Sequence, residues 1–195
     1  MPAADEGILS GGPLSENYQI LQLHFHWGKT NDKGSEHTYD GSAFPLEMHI
    51  VHVKSSLKDD LATALKTTDG LAVTGFQFQI AMADNAALKP LTDALSQITS
   101  SGGEIPFSGT SFQLNNLIDP VVTATNARYS TYDGGLTTPG CFEVVKWINF
   151  QTPLDISSGQ LDQFRTLMDG KGKMIYDNFR TTQPLNGRMV DHYWV

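Results

Sequence analysis

Two histidines, His24 and His26, stand two residues apart in the segment LHFHWG at 23–28. On an extended chain alternate side chains share a face, so the two imidazoles project side by side. A lone HxH more often means half-buried polar residues in an aromatic strand; the sharper reading makes the pair part of a metal site. The segment FPLEMHIVHVK at 44–54 bears on the choice. There His49 shares a face with Glu47, while His52 falls on the other face with Met48 and Ile50. One histidine from a neighbouring strand would complete three protein ligands and leave zinc an open fourth position for water, the pattern of catalytic zinc. Ligand histidines usually give their second ring N–H to a carboxylate, amide or carbonyl. Gln22 sits two residues before His24 and Glu47 two before His49, each on the face of its histidine. Matching polar offsets on two strands favour the metal reading, because an aromatic-rich surround tolerates few unexplained polar groups on one face.

The remaining histidines carry no such support. His37 and His52 read as hydrogen-bonded structural residues, and His192 as a surface residue near the C-terminus. A rival metal pattern is that of cupin-type barrels, where a glutamate closely follows the HxH. Here Asp32 and Glu36 come six and ten residues after His26, inside a glycine-containing loop, and the spacing fits poorly.

The elements that must position these side chains are mostly strands. Residues 18–27 (YQILQLHFHW), 44–54, 70–82 (GLAVTGFQFQIAM) and 141–150 (CFEVVKWINF) alternate or are rich in β-branched and aromatic residues. The polar, turn-rich stretch at 28–41 predicts a loop, and the first two strands should pair antiparallel. A helix is expected over 85–103, with Leu88, Leu91, Leu95 and Ile98 at helical spacing and Gly102-Gly103 as its stop. A second, short helix follows at 157–168, with Ser157 or Ser158 as N-cap. The tail from residue 177 reads as loop and then an edge strand. The fold class is mostly β with peripheral helices (α+β), in one domain over 1–195.

Composition agrees with a folded, water-facing chain. A hydrophobic fraction of 39% and a charged fraction of 17% exclude disorder, and 195 residues suffice for a core. The net charge of −8, with no Lys/Arg cluster, argues against a nucleic-acid partner. No apolar run reaches the length of a membrane span, and the first residues, MPAADEGILSGG, carry no signal-peptide pattern.

Taken together, QLHFHWG, GSEHTYDG, LEMHIVHVK, DGLAVTGFQFQI, YSTYDGGLTTPGCFEVVKW and DNFRTTQPLNGR occur in the order and form of the α-class carbonic anhydrases, and from about residue 8 the chain resembles that family. The resemblance implies a large twisted, mainly antiparallel central sheet. It implies one zinc ion per chain on His24, His26 and His49, backed by Gln22, Glu47 and the main-chain carbonyl of Asn178. It assigns Thr137 and Glu36 to a gatekeeping hydrogen-bonded pair and Thr138 to the substrate site. Val51, Leu71, Val73, Leu136, Val145 and Trp147 become an apolar wall for carbon dioxide. The implied reaction is attack of a zinc-held hydroxide on carbon dioxide, giving bicarbonate and a proton. Zinc makes this reasonable by lowering the pKa of its water from about 15.7 to about 7. A non-catalytic carbonic-anhydrase-like binding or mineral-matrix module is the alternative, disfavoured because such relatives typically lose a zinc histidine.

The chain also departs from the family pattern. The family's domain begins upstream of this sequence, so the resemblance implies an N-terminally truncated piece with an open sheet edge. No histidine here takes the family's proton-shuttle position. Cys141 matches a cysteine that in secreted and membrane-attached members pairs with one near the N-terminus, which implies an extracellular parent protein; a free thiol in a cytoplasmic protein is the alternative.

Overall fold

The structure is a computed structural model, and it describes residues 7–98, 103–104 and 111–194. Its strands are β1 (Ile8–Leu9), β2 (Tyr18–Trp27), β3 (Leu46–Lys54), β4 (Leu71–Ala81), β5 (Arg128–Gly134), β6 (Val145–Ser157) and β7 (Asp191–Trp194). Among the described residues the α-helices are α1 (Leu61–Ala64), α2 (Lys89–Leu95), α3 (Leu114–Val122) and α4 (Ser158–Arg165). Among the described residues all seven strands form one sheet, in the order β1-β2-β3-β4-β6-β5-β7. Every pairing is antiparallel except β4 with β6. The chain is therefore mostly β with a few short helices, and no helix among the described residues is long and apolar enough to cross a membrane.

Two apolar layers follow from the strand alternation. One face of the sheet presents Met48, Ile50, Phe76, Phe78, Ile148 and Phe150 to the helices, which contribute Leu95, Leu117, Val121, Leu161 and Phe164. The other face holds a smaller cluster of Val51, Val53, Leu71, Val73, Val145 and Trp147. β3 is covered on both sides, with eight of its nine residues buried, so its alternating letters do not mark a wet face. A bulge lies in the β2–β3 ladder between Ile20 and Gln22. It shifts the phase of β2, so that Ile20 on one side of it and Leu23 and Phe25 on the other all pair on the His52, Ile50 and Met48 face.

Several sequence expectations change. The strand expected at 141–150 begins at Val145 and runs on to Ser157, because Cys141 has a φ of 46° and Leu136 N–H bonds to the Phe142 carbonyl in a turn. The helix expected over 85–103 ends at Leu95. Its final turn tightens, with Gln97 and Ile98 N–H bonding to Ala94 and Leu95, and the proposed stop at Gly102 lies outside the described residues. β5 and α3 carry no expectation in the sequence reading: the first is largely polar without a clean alternation and the second contains Pro120. The helix near 157 forms, capped by Ser157, whose Oγ accepts the Gln160 N–H while the Gln160 side chain returns to the Ser157 N–H. The edge strand appears as β7.

Candidate metal centre

Register brings the histidines together. His24 lies directly opposite His49 across β2 and β3, and His26 directly opposite Glu47. Opposed residues share a face, so all four side chains emerge on the side of the smaller apolar cluster. The ring centroids of His24, His26 and His49 stand 4.8–5.2 Å apart. One nitrogen from each ring falls within 4.8 Å of the others, and His26 and His49 are buried.

Each ring is anchored through its opposite nitrogen. His24 Nδ1 lies 2.9 Å from Gln22 Oε1, His26 Nδ1 3.0 Å from the Asn178 carbonyl, and His49 Nε2 2.6 Å from Glu47 Oε1. The Asn178 side chain clamps the same strand, accepting the Trp27 N–H at 2.7 Å and donating to the Phe25 carbonyl at 3.2 Å. The nitrogens left over face one another. His24 Nε2 and His26 Nε2 are buried without a hydrogen-bond partner. Burial above all, with the neighbouring imidazoles of His49 and His26 acting in the same direction, pushes the His24 pKa down to about 4. Burial likewise lowers that of His26. Both rings are thus held neutral at pH 7, the form a metal ligand needs.

Glu47 is the electrostatic centre of this arrangement. Its Oε2 accepts the N–H groups of Glu36 and His37 at 2.9 Å each, and its Oε1 lies 2.6 Å from both His37 Nδ1 and His49 Nε2. Burial alone would raise its pKa, but His37 and His49 outweigh that and hold the carboxyl well below the usual carboxylate range. The same carboxylate raises the pKa of His37 against the burial that lowers it. His37 Nε2 also bonds the Tyr132 hydroxyl at 2.7 Å, so His37 is hydrogen-bonded at both nitrogens. A second cluster of potential ligands, His37, Glu47 and His49, consists of these mutual hydrogen bonds.

The other predicted site residues gather nearby, with one departure. Val51, Leu71, Val73, Val145 and Trp147 form one buried cluster, with Leu136 packed against it. Trp147 lies 4.8 Å from the His49 ring. Glu36 and Thr137 line a cavity of about 480 Å³ together with Tyr132, Arg180, Arg188 and His192, while Thr138 is exposed. The expected hydrogen bond between Thr137 and Glu36 is not made. Glu36 Oε1 accepts the Arg180 N–H at 2.7 Å and lies 3.4 Å from His26 Nδ1, while its Oε2 is buried without a partner, 3.9 Å from His49 Nδ1. His192 is exposed on β7 and bonds Ser130 Oγ at 2.9 Å. His52, on the opposite face, is buried with Nδ1 unpartnered. Sequence reasoning missed Tyr132, the Arg180 N–H and the buried amides of Gln77 and Asn149. All four meet the site through tertiary contacts that leave no local pattern.

Comparison with known proteins gives a consistent picture. Residues 2–193 match the family model described as eukaryotic-type carbonic anhydrase. Rabbit (Oryctolagus cuniculus) carbonic anhydrase 1 is 41% identical over 189 residues, covering 95% of this chain and 77% of the relative. Mouse (Mus musculus) carbonic anhydrase 7 is 40% identical over 190 residues, covering 95% of this chain and 69% of the relative. The human (Homo sapiens) carbonic anhydrase 7 is 38% identical over the same length.

Proposed function

The chain belongs to the eukaryotic-type carbonic anhydrase family, and from that membership and its side-chain geometry we propose that it interconverts carbon dioxide and water with bicarbonate and a proton at a zinc ion held by His24, His26 and His49. The observation that carries the reading is the pair of buried, unpartnered nitrogens, His24 Nε2 and His26 Nε2, on rings whose other nitrogens are tied off. Three imidazole ligands suit zinc and leave it a fourth position. Zinc bound there supplies water activation, lowering the pKa of its water to about 7. The protein's own groups do the rest. Gln22, Glu47 and the Asn178 carbonyl fix the tautomer and tilt of each ring. Thr137 and Glu36 orient the attacking oxygen, which requires the Thr137 hydroxyl to close on the free Glu36 Oε2. Val51, Leu71, Val73, Leu136, Val145 and Trp147 offer an uncharged substrate a dry wall, and Thr138 is assigned to the substrate site by the family resemblance.

Metal analysis of the purified chain is expected to give about one zinc per chain, lost in His49→Ala. Absence of zinc from the unaltered chain would sink the proposal. Stopped-flow carbon dioxide hydration, with and without imidazole, tests the chemistry. Activity that imidazole accelerates indicates an intact centre limited by proton export; inactivity in both conditions, with zinc bound, favours a non-catalytic binding module. Cys141, an exposed free cysteine, matches by position a cysteine that forms a disulfide in secreted and membrane-attached members of the family, which supports an extracellular parent protein; a free thiol in a cytoplasmic protein is the alternative. Free-thiol labelling of the protein from its native source checks this, and a reduced Cys141 overturns it.

A further inference from the structure

Beside Glu47, on the same face of the sheet, lie two buried amides with no role in the reading above. Gln77 is the register partner of Glu47, and Asn149 is the register partner of Gly75, which in turn lies opposite His49. Gln77 is 1% exposed with both side-chain polar atoms unpartnered; Asn149 is 3% exposed with Oδ1 unpartnered. A buried amide left unsatisfied is destabilising, so a chain carrying two at one spot calls for a structural reason.

Gly75 supplies it. A Cβ at that position would lie 2.2 Å from Asn149 Oδ1 and 3.5 Å from Glu47 Oε1. The Asn149 carboxamide therefore occupies the notch left by the missing side chain, and the same notch opens on the carboxylate oxygen that His49 Nε2 contacts at 2.6 Å. The two ends of a primary amide exchange places by a half turn, so Asn149 can direct Nδ2 over Gly75 toward Glu47. We propose that Asn149, seated in the Gly75 notch, is a positioning residue: it confines the Glu47 carboxylate behind His49 and so sets how firmly the three-histidine centre retains its metal. This rests on the metal-site reading above.

The test is the rate at which the full chain, loaded with zinc, loses it to an excess of chelator. Asn149→Leu, close in size but without a donor, is expected to speed zinc loss about tenfold or more, the usual scale for a support behind a ligand histidine. Gly75→Ala, which drives the amide from its notch, is expected to act in the same direction and to add little to Asn149→Leu. Should the leucine variant fail to fold, Asn149→Ser serves in its place. Unfolding temperatures with and without zinc separate positioning from mere packing: a packing defect lowers both equally, whereas the proposal requires the zinc-induced rise to shrink. A zinc-loss rate within twofold of the unaltered chain in Asn149→Leu or Asn149→Ser overturns the proposal while leaving the metal site intact. An unaltered chain that takes up no zinc overturns the metal reading and this one with it.

Discussion

Glu47 Oε1 lies 2.6 Å from His49 Nε2, at the end of a carboxylate that is wholly buried and anchored by two main-chain N–H groups. The ring of His49 is oriented by a group that is itself immobilised.

Glu47→Gln keeps the shape but replaces one acceptor oxygen by a donor, and every partner of Glu47 approaches as a donor or a ring nitrogen. Zinc affinity, measured by chelator competition, is expected to fall about 10–100-fold. Unfolding in urea is expected to show a loss of about 1–3 kcal/mol from the unmatched N–H groups.

Asn178→Ala makes the contrasting case. It leaves the main-chain carbonyl beside His26 in place but removes the side chain that bonds Trp27 and Phe25. Stability is expected to drop by about 1–3 kcal/mol, with zinc affinity changed far less than in Glu47→Gln.

His52 predicts an acid-sensitive fold. Burial pushes its pKa down to about 4, against an ordinary value near 6.5. The unfolded chain therefore takes up the proton first, and stability is lost as pH falls from about 6.5 toward 4. The full loss is about 3 kcal/mol. Urea unfolding of His52→Gln and the unaltered chain at a series of pH values checks this: the difference between them is expected to change over that window and to be flat above pH 7.

Ser157 caps α4 and also donates to Asp84 Oδ1 at 2.5 Å. Ser157→Ala is expected to cost about 1 kcal/mol in urea unfolding. Ser158→Ala, outside the cap, is expected to leave stability within about 0.5 kcal/mol.

The histidine cluster was legible because it depends on short-range periodicity. A strand alternates with period two, so HxH with Gln22 before it, and His49 with Glu47 before it, specify which side chains share a face without knowledge of anything distant. β2, β3 and β4 were readable for the same reason, and α4 because its cap lies within three residues. β5 was not, since its polar strand is stabilised by its neighbours β6 and β7 rather than by its own pattern.

By itself, then, the sequence determined the two histidine-bearing strands, the faces of their histidines and, through family resemblance, the chemistry to expect of them. Only the tertiary structure decided the rest. It set the register that opposes His24 to His49, the bulge that re-phases β2, and the parallel pairing of β4 with β6. It also set the Arg180 N–H that takes Glu36 Oε1 and the Gly75 notch that admits Asn149. These depend on chain segments up to 144 residues apart meeting in a packed interior. A local pattern of side chains carries information about faces, but not about which distant group will arrive on them.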